Sequence, residues 1–212
     1  MPPHSRDTQD PDKIAILVLA AGASRRMQGR DKLMEPIDAV PLLRRQVLRA
    51  LATGADVYVA LPCAPHPRYD ALEGLEVAKI AVADADEGMN ASLRAGIAGL
   101  PQNTPAAMVL LADMPDITES DLNTVLQSVD LNSEKTIWRA TTSSGDAGHP
   151  IVFRNQLFAG FMRLKGDQGG SVLVKENRAT TQFIALPQNH ARTDLDTPEA
   201  WANWRANRHS PT

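Results

Sequence analysis

Residues 16–32, ILVLAAGASRRMQGRDK, join an apolar run to a turn of small residues and then to several cations. Gly22 lets the backbone approach a ligand closely, and the alanines around it leave room. Backbone N–H groups in such a turn can face an anion, and Arg26 and Lys32 add positive charge there. Neither a Walker A loop nor a G-x-G-x-x-G fingerprint is present. The stretch is therefore either another type of phosphate site or a tight turn with exposed arginines.

The second candidate for chemistry is Asp113, which directly follows the apolar run AAMVLLA. Magnesium prefers one or two carboxylates together with phosphate oxygens and waters, and a carboxylate at the end of a strand suits that role. An aspartate there can also be a simple turn former, as can Asp116 three residues on. Together with the cationic turn, Asp113 suggests nucleotide phosphates held between basic side chains and Mg²⁺.

These loops need a sheet to position them, and the apolar pattern predicts one. Short apolar runs suit parallel strands that are covered on both faces. Such runs alternate with helical patterns, which favours a three-layer α/β fold with a largely parallel sheet. Ligands bind beyond the carboxyl ends of strands in such sheets, where both candidate loops lie. The predicted strands are 14–20, 56–61, 75–82 and 106–113, and the predicted helices are 41–54, 89–100, 118–129 and a last one from Pro198.

The second half of the chain departs from strict alternation. Strands are predicted over 136–141, 149–153 and 181–186, close together and joined by glycine-rich connections. We therefore expect one antiparallel strand or a small subsidiary sheet between residues 136 and 186. Residues 13–208 are expected to form a single domain, and the polar residues 1–12 a disordered lead-in.

Composition excludes several classes of protein. The chain of 212 residues is 43% hydrophobic and 22% charged, with a net charge of −3, so no basic field favours nucleic acid. No apolar run approaches the roughly 18 residues of a membrane span, and the N-terminus lacks the apolar core of a signal peptide. The single cysteine, Cys63, permits no intrachain disulfide. A cytoplasmic location is expected.

Six segments, in order, resemble one family. They are LAAGASRRM…DK, EGMNASLRAGI, LLADMP, GHPIVF, GDQGG and DLDTPEAW. Over residues 14–204 the chain is similar to the MobA-like nucleotidyltransferases, and most similar to the molybdenum cofactor cytidylyltransferases. The resemblance implies a Rossmann-like α/β fold and Mg²⁺-dependent transfer of CMP from CTP to the phosphate of molybdopterin or the molybdenum cofactor. Pyrophosphate would be released.

The resemblance also implies site residues. Arg26, Lys32 and Asp113 match the catalytic positions. Asp113 matches the metal-binding aspartate, and Asp196 matches a second metal ligand of sugar cytidylyltransferases. Because Asp196 lies just before a helix, the alternative is that its role is only structural. The implied nucleotide-binding residues are Leu19, Ala20, Ala21, Gly22, Ser24, Arg26, Lys32, Gly88 and Ser92. The implied acceptor-binding residues are Gly148, His149, Gly166, Asp167, Gly169 and Gly170.

Two positions refine the resemblance. Members that transfer GMP typically have glycine where Ala21 stands, and members that transfer CMP have alanine, so CTP is expected over GTP. Lys32 lies five residues after Met27, whereas four is the commonest spacing. The loop must therefore bulge by one residue, which leaves the roles of Gly29 and Arg30 open.

Other functions remain as alternatives. The chain could transfer GMP to the same acceptor or act on a sugar phosphate. In a different class, it could be a non-catalytic carrier or maturation factor that delivers the cofactor. The basic and acidic residues Arg26, Lys32 and Asp113 argue against a carrier. The expected partners are CTP or GTP, a molybdopterin-type acceptor, and a client molybdoenzyme or its chaperone, with no nucleic acid and no membrane.

Overall fold

A computed structural model describes residues 13–164 and 169–208 of the chain. Within these residues the strands are β1 (Ala15–Leu19), β2 (Pro36–Ile37), β3 (Val40–Pro41), β4 (Val57–Pro62), β5 (Ala78–Val82), β6 (Ala106–Leu111), β7 (Ile137–Thr141), β8 (Ala147–Arg154) and β9 (Thr181–Ala185). The α-helices are α1 (Leu42–Ala52), α2 (Pro67–Asp70), α3 (Met89–Ala98), α4 (Glu119–Gln127), α5 (Phe158–Phe161), α6 (Ser171–Glu176) and α7 (Pro198–Arg208).

Seven strands form one sheet in the order β5-β4-β1-β6-β8-β7-β9. Strand β8 runs antiparallel to both of its neighbours, β6 and β7, and the other pairs are parallel. The predicted α/β class and the antiparallel strand in the second half are thus confirmed. The small separate sheet, β2 with β3, lies instead near residues 36–41. Its two-residue strands are too short to produce an alternating sequence pattern.

Strand β1 lies inside the sheet between β4 and β6, and both of its faces are covered. Ile16 and Val18 belong to one core, shared with α1, α4 and α7. Leu17 and Leu19 belong to a second core on the opposite face, shared with α3 and α5. A Cβ on Gly96 of α3 would lie 2.6 Å from a methyl group of Leu17, so this glycine lets the helix lie directly on β1.

The helix ends follow local chemistry. The Thr118 hydroxyl accepts from the Asp121 amide at 3.1 Å, and the Asp121 carboxylate accepts from the Thr118 amide at 2.8 Å. This capping box starts α4 as predicted, although the helix ends at Gln127 rather than near residue 129. The Thr197 hydroxyl accepts from the Ala200 amide at the start of α7.

Several element boundaries differ from the predicted ones by up to three residues, and three short helices were not predicted. Strand β5 begins at Ala78 rather than residue 75, because the Val77 amide turns back to the Leu75 carbonyl. Helices α2, α5 and α6 have four to six residues, which is too short for a 3.6-residue apolar period to show. Among the described helices, none is both long and apolar enough to cross a membrane.

Candidate active site

The loop after β1, residues 20–32, is held in a tight shape. It contains a one-turn 3₁₀ helix, Arg25–Met27, whose Met27 side chain is fully buried. Gln28 and Gly29 then follow with φ of 53° and 84°, both left-handed. The loop turns sharply at the place where the sequence predicts one extra residue. Arg30 pairs with Glu35 at 3.1 Å and does not line the cavity described below.

Lys32 lies at the centre of the site. Its Nζ donates to Asp113 Oδ2 and to Asp196 Oδ1, each at 2.5 Å. Asp196 Oδ2 in turn accepts from Arg26 Nη2 at 2.5 Å. The Leu195 amide also donates to the Asp113 carbonyl, which ties the segment before α7 to the end of β6. Residues far apart in the sequence therefore converge on one ion-pair network.

The network fixes the charges of its members. Burial opposes charge on Lys32, but the carboxylates of Asp113 and Asp196 outweigh it and raise the pKa of the ammonium. Burial likewise opposes charge on Asp196, yet Lys32 and Arg26 lower the pKa of that carboxyl. Asp194 belongs to the same cluster, and the neighbouring carboxylates repel its negative charge. Burial, Asp196 and Asp113 raise its pKa to about 6.

A cavity of about 370 Å³ opens beside this network. All of the predicted nucleotide-binding residues line it, together with both predicted metal ligands: Leu19, Ala20, Ala21, Gly22, Ser24, Arg26, Lys32, Gly88, Ser92, Asp113 and Asp196. The cavity lies at the carboxyl ends of β1 and β6 and at the start of α3. This is where an open α/β sheet places its ligands.

The start of α3 forms the opposite wall. Gly88 has a φ of 90°, a conformation open to glycine and strained for other residues, and it turns the chain into α3. Ser92 is buried at the cavity wall (4% exposed), whereas Met89 is 42% exposed at its mouth. The wall thus offers one hydroxyl and an apolar surface.

The carboxylates fit a divalent cation. Asp113 and Asp196 already share one cation, the Lys32 ammonium. Asp113 Oδ1 is buried and has no hydrogen-bond partner among the described residues, so this oxygen is left unpaired for a cation. Within residues 13–164 and 169–208 no group of three or more acidic, histidine or cysteine side chains is arranged to hold a metal. Two carboxylates completed by phosphate oxygens are what Mg²⁺ commonly uses.

The predicted acceptor residues lie beside the cavity rather than in its wall. Gly169 is next to Met89, since a Cβ on Gly169 would lie 3.1 Å from the Met89 sulfur. Gly148 packs so closely on the Ala191 carbonyl that a Cβ there would collide with it. Gly170 lies against the rings of Phe153 and Phe161. Gly166 and Asp167 lie outside the described residues.

His149 adds a neutral imidazole to this side. The backbone N–H of His149 donates to the Ala191 carbonyl at 2.8 Å. Burial, with a contribution from Arg139, lowers the pKa of the ring to about 4, against the opposing charge of Asp113. The buried ring atom Nδ1 has no partner among the described residues. This nitrogen is therefore buried without a partner in the described part of the chain, next to the cavity rather than in its wall.

Residues 16–181 match the family model described as the MobA-like NTP transferase domain. The chain belongs to this family. It is a nucleotidyltransferase, as the resemblance predicted, and no curated protein matches its sequence.

Solved structures share the fold along nearly the whole chain. Rv0371c from Mycobacterium tuberculosis H37Rv is 26% identical with a TM-score of 0.79, over 94% of this chain and 98% of that one. Rv0371c solved in complex with manganese is 23% identical with a TM-score of 0.74, over 90% and 97%. A CMP:2-keto-3-deoxy-manno-octonic acid synthetase complexed with CTP is 16% identical with a TM-score of 0.71, over 92% and 98%.

Three residues around this nucleotidyltransferase site were not predicted from the sequence. Asp194 stands in the quoted DLDTPEAW segment but was not singled out. Arg139, on β7, donates from Nε to the Gly148 carbonyl at 3.1 Å and so lies next to the acceptor residues. The guanidinium of Arg68, in α2, donates to the Ala20 carbonyl and the Asp31 carboxylate in the loop after β1. No sequence pattern marks Arg139 or Arg68, because each acts through the tertiary fold.

Proposed function

We propose that this nucleotidyltransferase transfers CMP from CTP to the phosphate of molybdopterin or its molybdenum form and releases pyrophosphate. The observation that carries the proposal is the single cavity in which Arg26 and Lys32 meet Asp113 and Asp196. Basic side chains there suit a triphosphate, and paired carboxylates suit its metal ion. A fold neighbour complexed with CTP supports the choice of nucleotide, and another complexed with manganese supports a divalent metal ion.

The reaction needs no protein nucleophile. An oxygen of the acceptor phosphate attacks the α-phosphorus in line, the bond from that phosphorus to the β-phosphate oxygen breaks, and pyrophosphate leaves. Negative charge grows on the leaving group, and fixed cations nearby stabilise it. An ammonium has three donors; Lys32 uses two for Asp113 and Asp196, so its third can reach a phosphate oxygen. Arg26, 69% exposed, keeps further N–H donors for the same purpose.

Asp113 and Asp196 are proposed to hold Mg²⁺. When bound, the ion supplies Lewis-acid stabilisation to the phosphate oxygens and helps to orient the two reactants. The open Oδ1 of Asp113 provides a ligand without breaking its contact with Lys32. The remaining ligands would be phosphate oxygens and water.

The acceptor is proposed to lie on the β8 side of the cavity, against Gly148, His149, Asp167, Gly169 and Gly170. The contact between Gly169 and Met89 makes this side continuous with the nucleotide cavity. The neutral imidazole of His149 offers one unpaired nitrogen to a polar edge of the acceptor. The close approach of Gly148 to Ala191 fixes the strand that carries it.

CTP is proposed over GTP because of Ala21. This residue lines the cavity and is buried (2% exposed), so its Cβ occupies space that a glycine would leave free. A pyrimidine tolerates the smaller space better than a purine. The Ser92 hydroxyl lies in the same wall and can meet a cytosine edge.

The remaining parts of the proposal concern the whole chain. Residues 13–208 are taken as one catalytic domain. The single free cysteine, Cys63, is exposed, which suits a reducing cytoplasm. A client molybdoenzyme or its chaperone would receive the product.

Pyrophosphate release tests the proposal. Purified protein is incubated with Mg²⁺, molybdopterin and each of the four nucleoside triphosphates, with a sugar phosphate as the alternative acceptor. Release that requires molybdopterin and is fastest with CTP is the expected result. Preference for GTP would favour guanylyl transfer, and release only with a sugar phosphate would favour that acceptor class. Tight molybdopterin binding without release would favour a carrier.

A further inference from the structure

Arg68 is a buried arginine (1% exposed) that lies beneath the loop of residues 20–32. Its guanidinium forms a two-pronged ion pair with Asp31: Nε donates to Oδ2 at 2.8 Å and Nη2 donates to Oδ1 at 2.7 Å. Nη1 donates to the Ala20 carbonyl at 2.6 Å, and Nη2 also reaches the Ser24 hydroxyl at 3.2 Å. One side chain therefore ties together the beginning, middle and end of the loop.

Asp31 and Ser24 pass these contacts to Lys32. The Asp31 Oδ1 atom accepts from the Leu33 amide at 3.0 Å and from the Ser24 hydroxyl at 3.2 Å. The Ser24 hydroxyl oxygen accepts from the Lys32 amide at 3.3 Å. Arg68 thus fixes the backbone on both sides of Lys32 without touching its ammonium.

The bidentate geometry indicates a specific constraint. A planar guanidinium matches a carboxylate with fixed orientation as well as charge, which a lysine cannot reproduce. Burial opposes ionisation of Asp31, but Arg68 and the Leu33 amide outweigh it and lower the pKa of the carboxyl. Asp31 follows Gln28 and Gly29, the left-handed turn where this chain has its extra residue. The pair therefore links α2 to the loop next to its extra residue.

We infer that Arg68 is a positioning residue: through Asp31 and Ser24 it holds the loop after β1 in the shape that presents Lys32 and the loop amides to a nucleoside triphosphate. The inference rests on the proposed function for its ligand, but the contact between Arg68 and the loop stands apart from it. Loss of the pair should loosen the loop while leaving the sheet intact. Residues that orient metal ligands typically contribute about 10- to 100-fold to affinity or activity, and we expect an effect of similar size for Arg68.

The test compares Arg68→Met and Asp31→Asn with the control Arg154→Met. Arg154 also donates to two backbone carbonyls, of Leu131 and Ser133, but it lies at the end of β8 opposite the site. Removing one partner of a buried pair can prevent folding. Asp31→Asn is the milder change because it keeps the shape and an acceptor oxygen, so it decides the test if Arg68→Met does not fold.

Two measurements are made on each folded variant. Hydrogen exchange compares the exchange rates of the amides of residues 20–33 with those of β6. Steady-state kinetics compare the change in KM for CTP with the change in KM for the acceptor. We expect loop exchange to accelerate at least about tenfold, and KM for CTP to rise about 10- to 100-fold while KM for the acceptor changes little. Arg154→Met should change neither.

The outcomes separate the two proposals. Loop exchange or KM for CTP matching that of Arg154→Met would overturn the role of Arg68. An unmodified protein that transfers no nucleotide would overturn the proposed function. In that event exchange over residues 20–33 still decides whether Arg68 holds the loop.

Discussion

The two sides of the site differ in how their polar groups are satisfied. On the nucleotide side, Lys32, Arg26, Asp113 and Asp196 already pair with one another. On the acceptor side, the buried Nδ1 atom of His149 has no hydrogen-bond partner among the described residues. The charged side chains are thus already held by ion pairs where the triphosphate is proposed to bind. The acceptor side has a neutral imidazole, the Arg139 guanidinium and close backbone packing instead.

This difference predicts that charge removal will matter most on the nucleotide side. Asp113→Asn keeps the shape but removes the charge that pairs with Lys32 and would hold Mg²⁺. We expect kcat to fall by at least about 10²-fold at saturating Mg²⁺, comparable with losing one strong transition-state contact. Steady-state transfer of CMP measures it.

Asp116→Asn is the matched control for this change. Asp116 lies three residues further along the same loop, where it accepts from the Trp204 indole at 2.8 Å, outside the cavity. The kcat of Asp116→Asn should remain near that of the unmodified protein. Full turnover by Asp113→Asn at saturating Mg²⁺ would remove Asp113 from the site.

Lys32→Ala should have the next largest effect. It removes the ammonium N–H donor proposed for the triphosphate. We expect kcat/KM to fall by an amount that corresponds to about 2–4 kcal/mol of lost transition-state stabilisation. Arg30→Ala is the matched control, since Arg30 pairs with Glu35 away from the cavity. A larger loss for Arg30→Ala than for Lys32→Ala would show that the extra loop residue had been assigned to the wrong place.

Ala21→Gly sharpens the comparison because it changes space and leaves charge untouched. Removing this Cβ should relax the preference for CTP over GTP, which we expect to be about 10²-fold or more in kcat/KM for the unmodified protein. Activity with CTP should be retained. Competition between the two nucleotides measures the ratio, and an unchanged ratio would assign base selection to other residues.

The smallest expected effect is on the acceptor side and concerns stability. The pKa of His149 is about 4 when folded, lowered by burial and Arg139 and opposed by Asp113, against an ordinary value of 6.5. The unfolded chain binds more protons between these values, so the free energy of unfolding should decrease as pH falls from 6.5 to 4. The contribution is about 1–3 kcal/mol.

Urea denaturation of the unmodified protein and His149→Gln at several pH values isolates this contribution. The difference in the free energy of unfolding between the two proteins should shrink or reverse as pH falls from 6.5 to 4. Only the unmodified protein has the buried histidine, whose protonation in the unfolded chain favours unfolding. A difference that is independent of pH would mean that folding does not lower the pKa of His149.

Much of the fold was predictable because its signals are local. Buried runs such as β1 and β6, and the capping box at Thr118, are written in consecutive residues. The nucleotide-binding residues were predicted from ordered motifs, and the structure places all of them around one cavity. Arg68 and Arg139 could not be found this way, since their partners lie at least nine residues away in sequence and only the folded sheet brings them together.

The most direct test of the central claim follows the phosphorus atoms. Protein, Mg²⁺ and molybdopterin are mixed with CTP labelled at either the α- or the γ-phosphate, and Asp113→Asn serves as the blank. The account predicts that α-label enters the pterin product while γ-label leaves as pyrophosphate, both at rates that Asp113→Asn reduces by at least about 10²-fold. Transfer of γ-label to the acceptor, or release of α-label only as free CMP, would contradict it.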